Sequence, residues 1–443
     1  MIVIVYGNNE LDRLKNSVEK LKERIDINDI IIAVDNGSTD GTCSWLLEQK
    51  DIDTVYFDDG VHTFSSMMNE IIKEYGIEDD IFFVQASCLA VEFRTPVLKN
   101  VLYNNRHVGI IAPMSNDSEK IYTWVRKENT NYKDDSSEDK NDLLYCLGVE
   151  NGTFLVRKEV FQKNGLFDEN LFTIENAVQD YVMRSISEGY VAAHYKKAYF
   201  HNVEENRRKD PYIEKYGIDL QYMRNKWNMQ YFNKYANKNL ISLIADEENA
   251  EIRVLEIGCD CGATLIEIKN RFPKSRVFGL EINEQAVKLA SKYCDARVGN
   301  IEDMNLQFTL NSFDYIIFGD VLEHLRNPEL IVEYCKKYLK ENGSILTSIP
   351  NLMNVSVVKD LINGNFTYTE TGLLDKTHIH MFTYYEIVRM FNRCDYMIEE
   401  IRSVIIPQFV DEEYIDKLMQ LSNVKAREMF TTFQYIVKAK IRF

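Results

Sequence analysis

Residues 254–262, VLEIGCDCG, constrain this chain more than any other stretch. A short apolar strand carrying an acid runs into a tight turn with Gly258 and Gly262, and a helix opens at Ala263. A strand, glycine turn and helix start of this kind present free backbone N–H groups to a nucleotide-like ligand in a doubly wound sheet. The glycine pattern alone is equally an ordinary strand-to-helix turn, so its surroundings decide. The next strand, SRVFGLEI, ends at Glu281, placed to accept from both hydroxyls of a ribose. GNIED (299–303) and FDYIIFGDVLEH (313–324) then follow in order.

At 443 residues the chain is too long for one ordinary core, and two or three domains are expected. Hydrophobic content of 45% is ample for packed interiors, and no stretch reaches the uninterrupted apolar length of a membrane span. The start, MIVIVYGNN, reads as a core strand, without a basic leader or small-residue cleavage site, so a cytoplasmic location is expected. Eight scattered cysteines without CxxC pairs read as free thiols in a reducing compartment. A net charge of −17 argues against a sequence-independent grip on nucleic acid, because a phosphate backbone repels an acidic surface.

The pattern predicts two α/β halves. Strands IVIVY (2–6), DIIIAVDN (29–36), TVYFDD and IFFVQA (81–86) alternate with helices around 10–24, 42–49 and 64–75, which implies a parallel sheet. Residues 115–142 are polar and read as an exposed loop. The first domain is placed at 1–202, a charged, aromatic helical connector at 203–248, and the second α/β domain at 249–443, closing with the strand FQYIVKAKI. Trp227 and Tyr231 in the connector suit either an inter-domain seam or an oligomer contact.

In the second half, the strand-turn-helix, the acid at 281, GNIED and DVLEH together resemble the class I S-adenosylmethionine methyltransferases. The resemblance implies a Rossmann-like fold and places Glu256, Gly258 and Gly262 around the amino-acid and ribose end of the cofactor. It puts Glu281 on the ribose hydroxyls, Asn300 and Ile301 by the adenine, and Asp320 at the carboxyl edge of the sheet. Asp260 stands where many members have the middle glycine, and would alter the turn or set a carboxylate near the cofactor's ammonium group. Residues 348–387, with GLLDKTH, resemble the substrate-side insertion of methyltransferases attached to sugar transferases. That resemblance makes His324, Asp375 and His378 candidates for orienting or deprotonating an acceptor hydroxyl, while His380 reads as structural.

In the first half, VDNGSTDGT (34–42) resembles the nucleotide-binding turn of family 2 glycosyltransferases with the GT-A fold. GVHTFSSMMNEII (60–72), NGTFLVRKEVFQKNGLFDENLF (151–172) and RSISEGY (184–190) with His201 extend the resemblance over about residues 1–230. Asp35 and Asp40 would then contact a nucleotide sugar. Two departures stand out. Gln85, Ala86 and Ser87 occupy the place of the metal-binding acid pair, and neither Gln nor Ser supplies the charged oxygen that a hard divalent cation takes. In ENAVQDYVMR the last acid survives as Asp180, whereas the preceding pair is Ala177 and Val178.

Three readings stay open for this half: an active transferase using Asp180, His201 and Glu175 without a tightly held metal, a degenerate domain that keeps a nucleotide or glycan pocket, or a dimerising scaffold. The resulting expectation is a methyltransferase that modifies a hydroxyl of a sugar in a bacterial surface glycan or flagellar modification. Its cofactor would be S-adenosylmethionine, with a nucleotide sugar and a divalent metal left open, and its partner a glycan or glycosylated protein. The alternatives are an active bifunctional glycosyltransferase and methyltransferase, or a glycan-binding scaffold whose methyltransferase acts on protein or lipid.

Overall fold

Strands buried on both faces need helices on both sides, and the sequence supplies them in alternation. The computed structural model describes residues 1–57, 62–75, 78–122, 142–149, 152–202, 212–230, 232–422 and 427–442. The chain divides into two units, Met1–Tyr235 and Ala236–Phe443. Residues 203–248 are therefore shared: helix Tyr216–Trp227 belongs to the first unit and helix Lys238–Ile241 to the second. Most of the polar stretch expected as a loop (123–141), the start of the connector (203–211) and Tyr231 lie outside the described residues, as do Gly60, Val61 and Asn151.

The first unit holds β1 (Ile2–Gly7), β2 (Ile30–Asn36), β3 (Asp53–Phe57), β4 (Ile81–Gln85), β5 (Cys88–Glu92), β6 (Val108–Ser115), β7 (Leu143–Cys146), β8 (Phe154–Val156) and β9 (Val191–Asn202). Their order is β3-β2-β1-β4-β8-β6-β9-β5, with β7 also paired to β9. The expected parallel sheet holds for the first four strands. Beyond them the sheet is mixed, because β8 runs antiparallel between β4 and β6, and β5 and β7 run antiparallel to β9. Phe82 and Phe200 meet edge to face at 5.9 Å in its core, as do Phe83 and Phe167 at 5.6 Å.

The second unit holds β10 (Arg253–Ile257), β11 (Arg276–Glu281), β12 (Asp295–Val298), β13 (Phe313–Gly319), β14 (Leu339–Pro350), β15 (Tyr396–Ile405) and β16 (Thr432–Ile441), in the order β12-β11-β10-β13-β14-β16-β15. The first five strands are parallel and reverse direction of growth between β10 and β13, which is the switch point where ligands bind in such sheets. Along β13, Ile316 and Phe318 enter one apolar cluster and Tyr315 and Ile317 the other, so both faces are covered. The last strand, β16, is not an edge: it inserts antiparallel between β14 and β15. Among the described residues no helix is long and apolar enough to cross a membrane.

One buried carboxylate ties two elements of the first unit together. Asp219, on helix Tyr216–Trp227, accepts from the backbone N–H groups of Phe172 (3.1 Å) and Thr173 (2.8 Å) and from the Thr173 hydroxyl (2.7 Å). Thr173 is the N-cap of helix Ile174–Ser187. Asp219→Ala leaves buried donors unpaired at a helix start, and is expected to cost about 2–4 kcal/mol in urea denaturation of the full chain. Asp219→Asn, which keeps an acceptor oxygen, is expected to cost less.

Candidate functional site

The carboxyl ends of β10 and β13 form the floor of the site. After β10 the chain turns at Gly258 (φ 71°) and Asp260 (φ 46°) and enters helix Ala263–Arg271 from Gly262 (φ 89°). Glycine is required at 258 for two reasons. Its φ disfavours a side chain, and a Cβ there would come within 2.6 Å of Val321 Cγ2. Asp260 holds the left-handed conformation that an Asp tolerates better than most residues, and its N–H donates to Glu281 Oε2 at 3.1 Å. Glu281 Oε1 accepts from the Asn283 N–H at 2.9 Å, so the acid at the end of β11 is aimed at the glycine turn.

Glu256, near the end of β10, is buried, and its Oε2 has no hydrogen-bond partner. Burial pushes its carboxyl up to about 8; a hydrogen bond with Thr264 acts the other way, and the charges of Asp260 and Glu281 add to the rise. Asp320 follows β13 with φ 55°; its N–H donates to Ser348 Oγ at 3.0 Å and its Oδ1 accepts from the Gln434 amide. The residue keeps an exposed surface while protein atoms crowd its carboxyl, and that crowding raises its affinity for a proton. Asn300 and Ile301 lie beyond β12. Asn300 Oδ1 caps the 3-10 turn Ile301–Asp303 by accepting from the Glu302 N–H, and the Ile301 side chain is buried in the core.

A second cluster adjoins the cup through Val321. DVLEH forms a 3-10 turn, Leu322–His324, and the carbonyl of Glu323 accepts from the N–H groups of Ile379 (2.8 Å) and His380 (3.0 Å). These bonds stitch the 348–387 segment to the end of β13. His324 and His378 then meet edge to face at 4.8 Å. His324 Nδ1 lies 3.1 Å from the Thr377 carbonyl and 3.2 Å from the Thr377 hydroxyl, which itself donates to Asp375 Oδ1 at 2.6 Å. His378 Nδ1 lies 3.2 Å from the Leu373 carbonyl. A carbonyl only accepts, so each ring carries its proton on Nδ1 and its lone pair on Nε2. Burial holds His378 below the ordinary imidazole range, its Leu373 hydrogen bond opposing and the neighbouring His324 adding to the effect. Glu323 is buried, its Oε2 has no partner, and burial with the nearby Asp320 charge drives its carboxyl well up.

Sequence reasoning named His324, Asp375 and His378, and the fold brings them together. It missed Glu323, although the signal lay in the EH pair, and Thr377, which connects Asp375 to His324. Nothing local could have pointed to Gln434, which arrives from β16.

The first unit offers a looser picture. Asp35, at the end of β2, is buried; one oxygen accepts from the Ser38 N–H at 3.3 Å and Oδ1 has no partner. Asp40 instead ties its loop to a helix start: Oδ2 accepts from the N–H of Leu11, the first residue of helix Leu11–Lys22 (2.9 Å), and Oδ1 from the N–H (3.1 Å) and hydroxyl (2.5 Å) of Thr42. Asp180 is fully buried, paired with Arg184 (2.9 Å) and Lys226 (2.8 Å) and accepting from the Trp227 indole (3.0 Å). That is the geometry of an anchor between two helices, since a base needs an oxygen turned to its substrate. His201 sits exposed on β9 opposite Leu89. Between helices Ile174–Ser187 and Tyr216–Trp227 lies a cavity of about 540 Å³ whose lining includes Gln179, Met183, Met223, Arg224, Trp227 and Tyr235.

Comparison with known proteins agrees with the second unit. Residues 229–401 match the family described as "Methyltransferase domain". The chain is 24% identical over 176 residues to the mitochondrial ubiquinone biosynthesis O-methyltransferase of Dictyostelium discoideum, covering 36% of this chain and 51% of that protein. It is 32% identical over 109 residues to a ubiquinone biosynthesis O-methyltransferase of Xanthomonas oryzae, covering 23% of this chain and 44% of the relative. The chain thus spans about half the length of the curated relatives it matches. A solved S-adenosylmethionine dependent methyltransferase from Mesorhizobium loti shares 15% identity at a TM-score of 0.32, covering 46% of this chain and 95% of its own. With its Rossmann-like sheet and glycine turn, the C-terminal half of the chain carries a class I S-adenosylmethionine methyltransferase domain.

Proposed function

We propose that the chain transfers the methyl group of S-adenosylmethionine to an acceptor hydroxyl, and that the acceptor is a sugar of a bacterial surface glycan or flagellar modification. The observation that carries the cofactor assignment is Glu256, a buried carboxylate with an unpaired oxygen at the switch point. Beside it lie a turn with a glycine at 258, where a Cβ would meet Val321, and an acid at the next strand end. Such a cup suits a ligand with a positive charge at one end and a ribose at the other. The methyl leaves a sulfonium, so the S–CH3 bond breaks as the O–CH3 bond forms in line, and a neutral thioether departs. The acceptor proton goes to the cluster beyond Val321, where Asp375 acts through Thr377 to hold His324 with its Nε2 lone pair free.

For the first unit we propose a GT-A-like domain that holds the sugar or its nucleotide. Its support is the unpaired Asp35 oxygen at the end of β2 and the cavity in which aromatic faces, an amide and cations surround one volume. The caged Asp180, with Gln85 closing β4 and Ala86 and Ser87 after it, favours binding over transfer. A nucleotide sugar consumed by the full chain without an added acceptor-modifying step would reverse that preference.

Three measurements test the methyl-transfer reading. Gly258→Val should weaken S-adenosylmethionine binding at least about tenfold by calorimetry, whereas Gly189→Val, at another positive φ with open space around it, should leave binding unchanged. Glu256 is neutral in the free protein until pH approaches about 8, and a cationic ligand favours its ionised form. Binding therefore releases a proton, and wild-type affinity should gain on that of Glu256→Gln as pH rises toward 8, then level off. Parallel pH profiles for the two proteins would refute the placement. His324→Ala should lower kcat roughly 10²–10⁴-fold while cofactor affinity is preserved.

A further inference from the structure

We propose that Glu323, His324 and His378 form a binding site for a first-row divalent metal ion of the zinc class. One ligand atom from each lies within 4.8 Å of the others, and among the described residues this is the group of His, Cys, Asp and Glu side chains that so converges. Convergence alone would carry little, but each member is also prepared. Both imidazoles donate from Nδ1 to backbone carbonyls, the arrangement that fixes a metal-binding histidine with its Nε2 lone pair outward. His324 gains a further outer contact through Thr377 to Asp375. Glu323 is 1% exposed and its Oε2 has no hydrogen-bond partner, a costly state for a buried oxygen that a cation would relieve.

The chemistry selects the ion. Two imidazole nitrogens and one carboxylate suit zinc, cobalt or iron(II), whereas magnesium and calcium ask for oxygen ligands throughout. Three protein ligands leave at least one position open for an oxygen of water or substrate. The site also has a structural consequence, since it joins the 3-10 turn after β13 to the 348–387 segment, whose Ile379 and His380 N–H groups already donate to the Glu323 carbonyl. Only its catalytic consequence rests on the methyl-transfer reading: an acceptor oxygen on the open position would lose its proton more easily, and the two histidines would act as ligands in place of a free base.

The test is calorimetric titration of the full chain, stripped by chelation, with zinc and with cobalt chloride. We expect one equivalent per chain, no displacement by excess magnesium, and visible d–d absorption in the cobalt form. His324→Ala and His378→Ala should each weaken zinc binding by more than the roughly 10–100-fold that loss of an outer partner costs, and His380→Ala should leave it unchanged. A measurement without variants uses diethyl pyrocarbonate: zinc should protect His324 and His378 from modification, mapped by mass spectrometry. Absence of saturable stoichiometric binding, equal affinity in His378→Ala, or no protection of the two histidines overturns the site. Titration of the same samples with S-adenosylmethionine reports the cofactor cup separately. Zinc binding without cofactor binding would sink the methyl-transfer reading and leave the metal site standing.

Discussion

The second unit is organised around a buried carboxyl group that burial keeps from ionising. Glu256 sits in the low-dielectric floor of a parallel sheet, and the charges that reach it, from Asp260 and Glu281, have its own sign. A folded protein keeps such a group only where its surroundings are fixed by stronger demands. Here those demands are the pairing of β10 with β11 and β13, and the close approach of Gly258 to Val321. The same strands that bury the acid also end beside one another, so Glu256, Glu281 and Asp320 surround one cup.

From that cup the chain leads directly to the histidine cluster. Val321 limits the glycine turn on one side, and two residues later Glu323 begins the triad with His324 and His378. The Glu323 carbonyl anchors the incoming segment while Oε2 of its side chain has no hydrogen-bond partner, so the backbone and side chain of one residue have separate tasks. The first unit shows the opposite economy. Asp40 and Asp180 are saturated by donors of their own surroundings, whereas Asp35 keeps one oxygen without a hydrogen-bond partner. Acids that look alike in a sequence motif thus divide into anchors and candidate ligands according to how many donors the fold turns toward them.

Much of the second unit was legible in the chain because its information is local. The strand, glycine turn and helix start occupy ten consecutive residues, and the acid at Glu281 closes the next strand, so period and turn chemistry identify them without tertiary knowledge. The first four strands were legible on the same grounds. The mixed character of the first sheet was not, because β8 is only three residues long and its direction depends on which neighbours it pairs with. The inserted position of β16 was hidden for the same reason.

The sequence by itself determined the α/β alternation, the turn at Gly258 and the presence of histidines and acids in DVLEH and GLLDKTH. Only the tertiary structure decided that Glu323, more than fifty positions from His378, shares a cluster with it, that Thr377 connects Asp375 to His324, and that Asp180 is caged. Turns are set by φ preferences and sterics between adjacent residues. Burial, tautomer and ion pairing depend instead on atoms that distant segments bring within a few ångströms of one another.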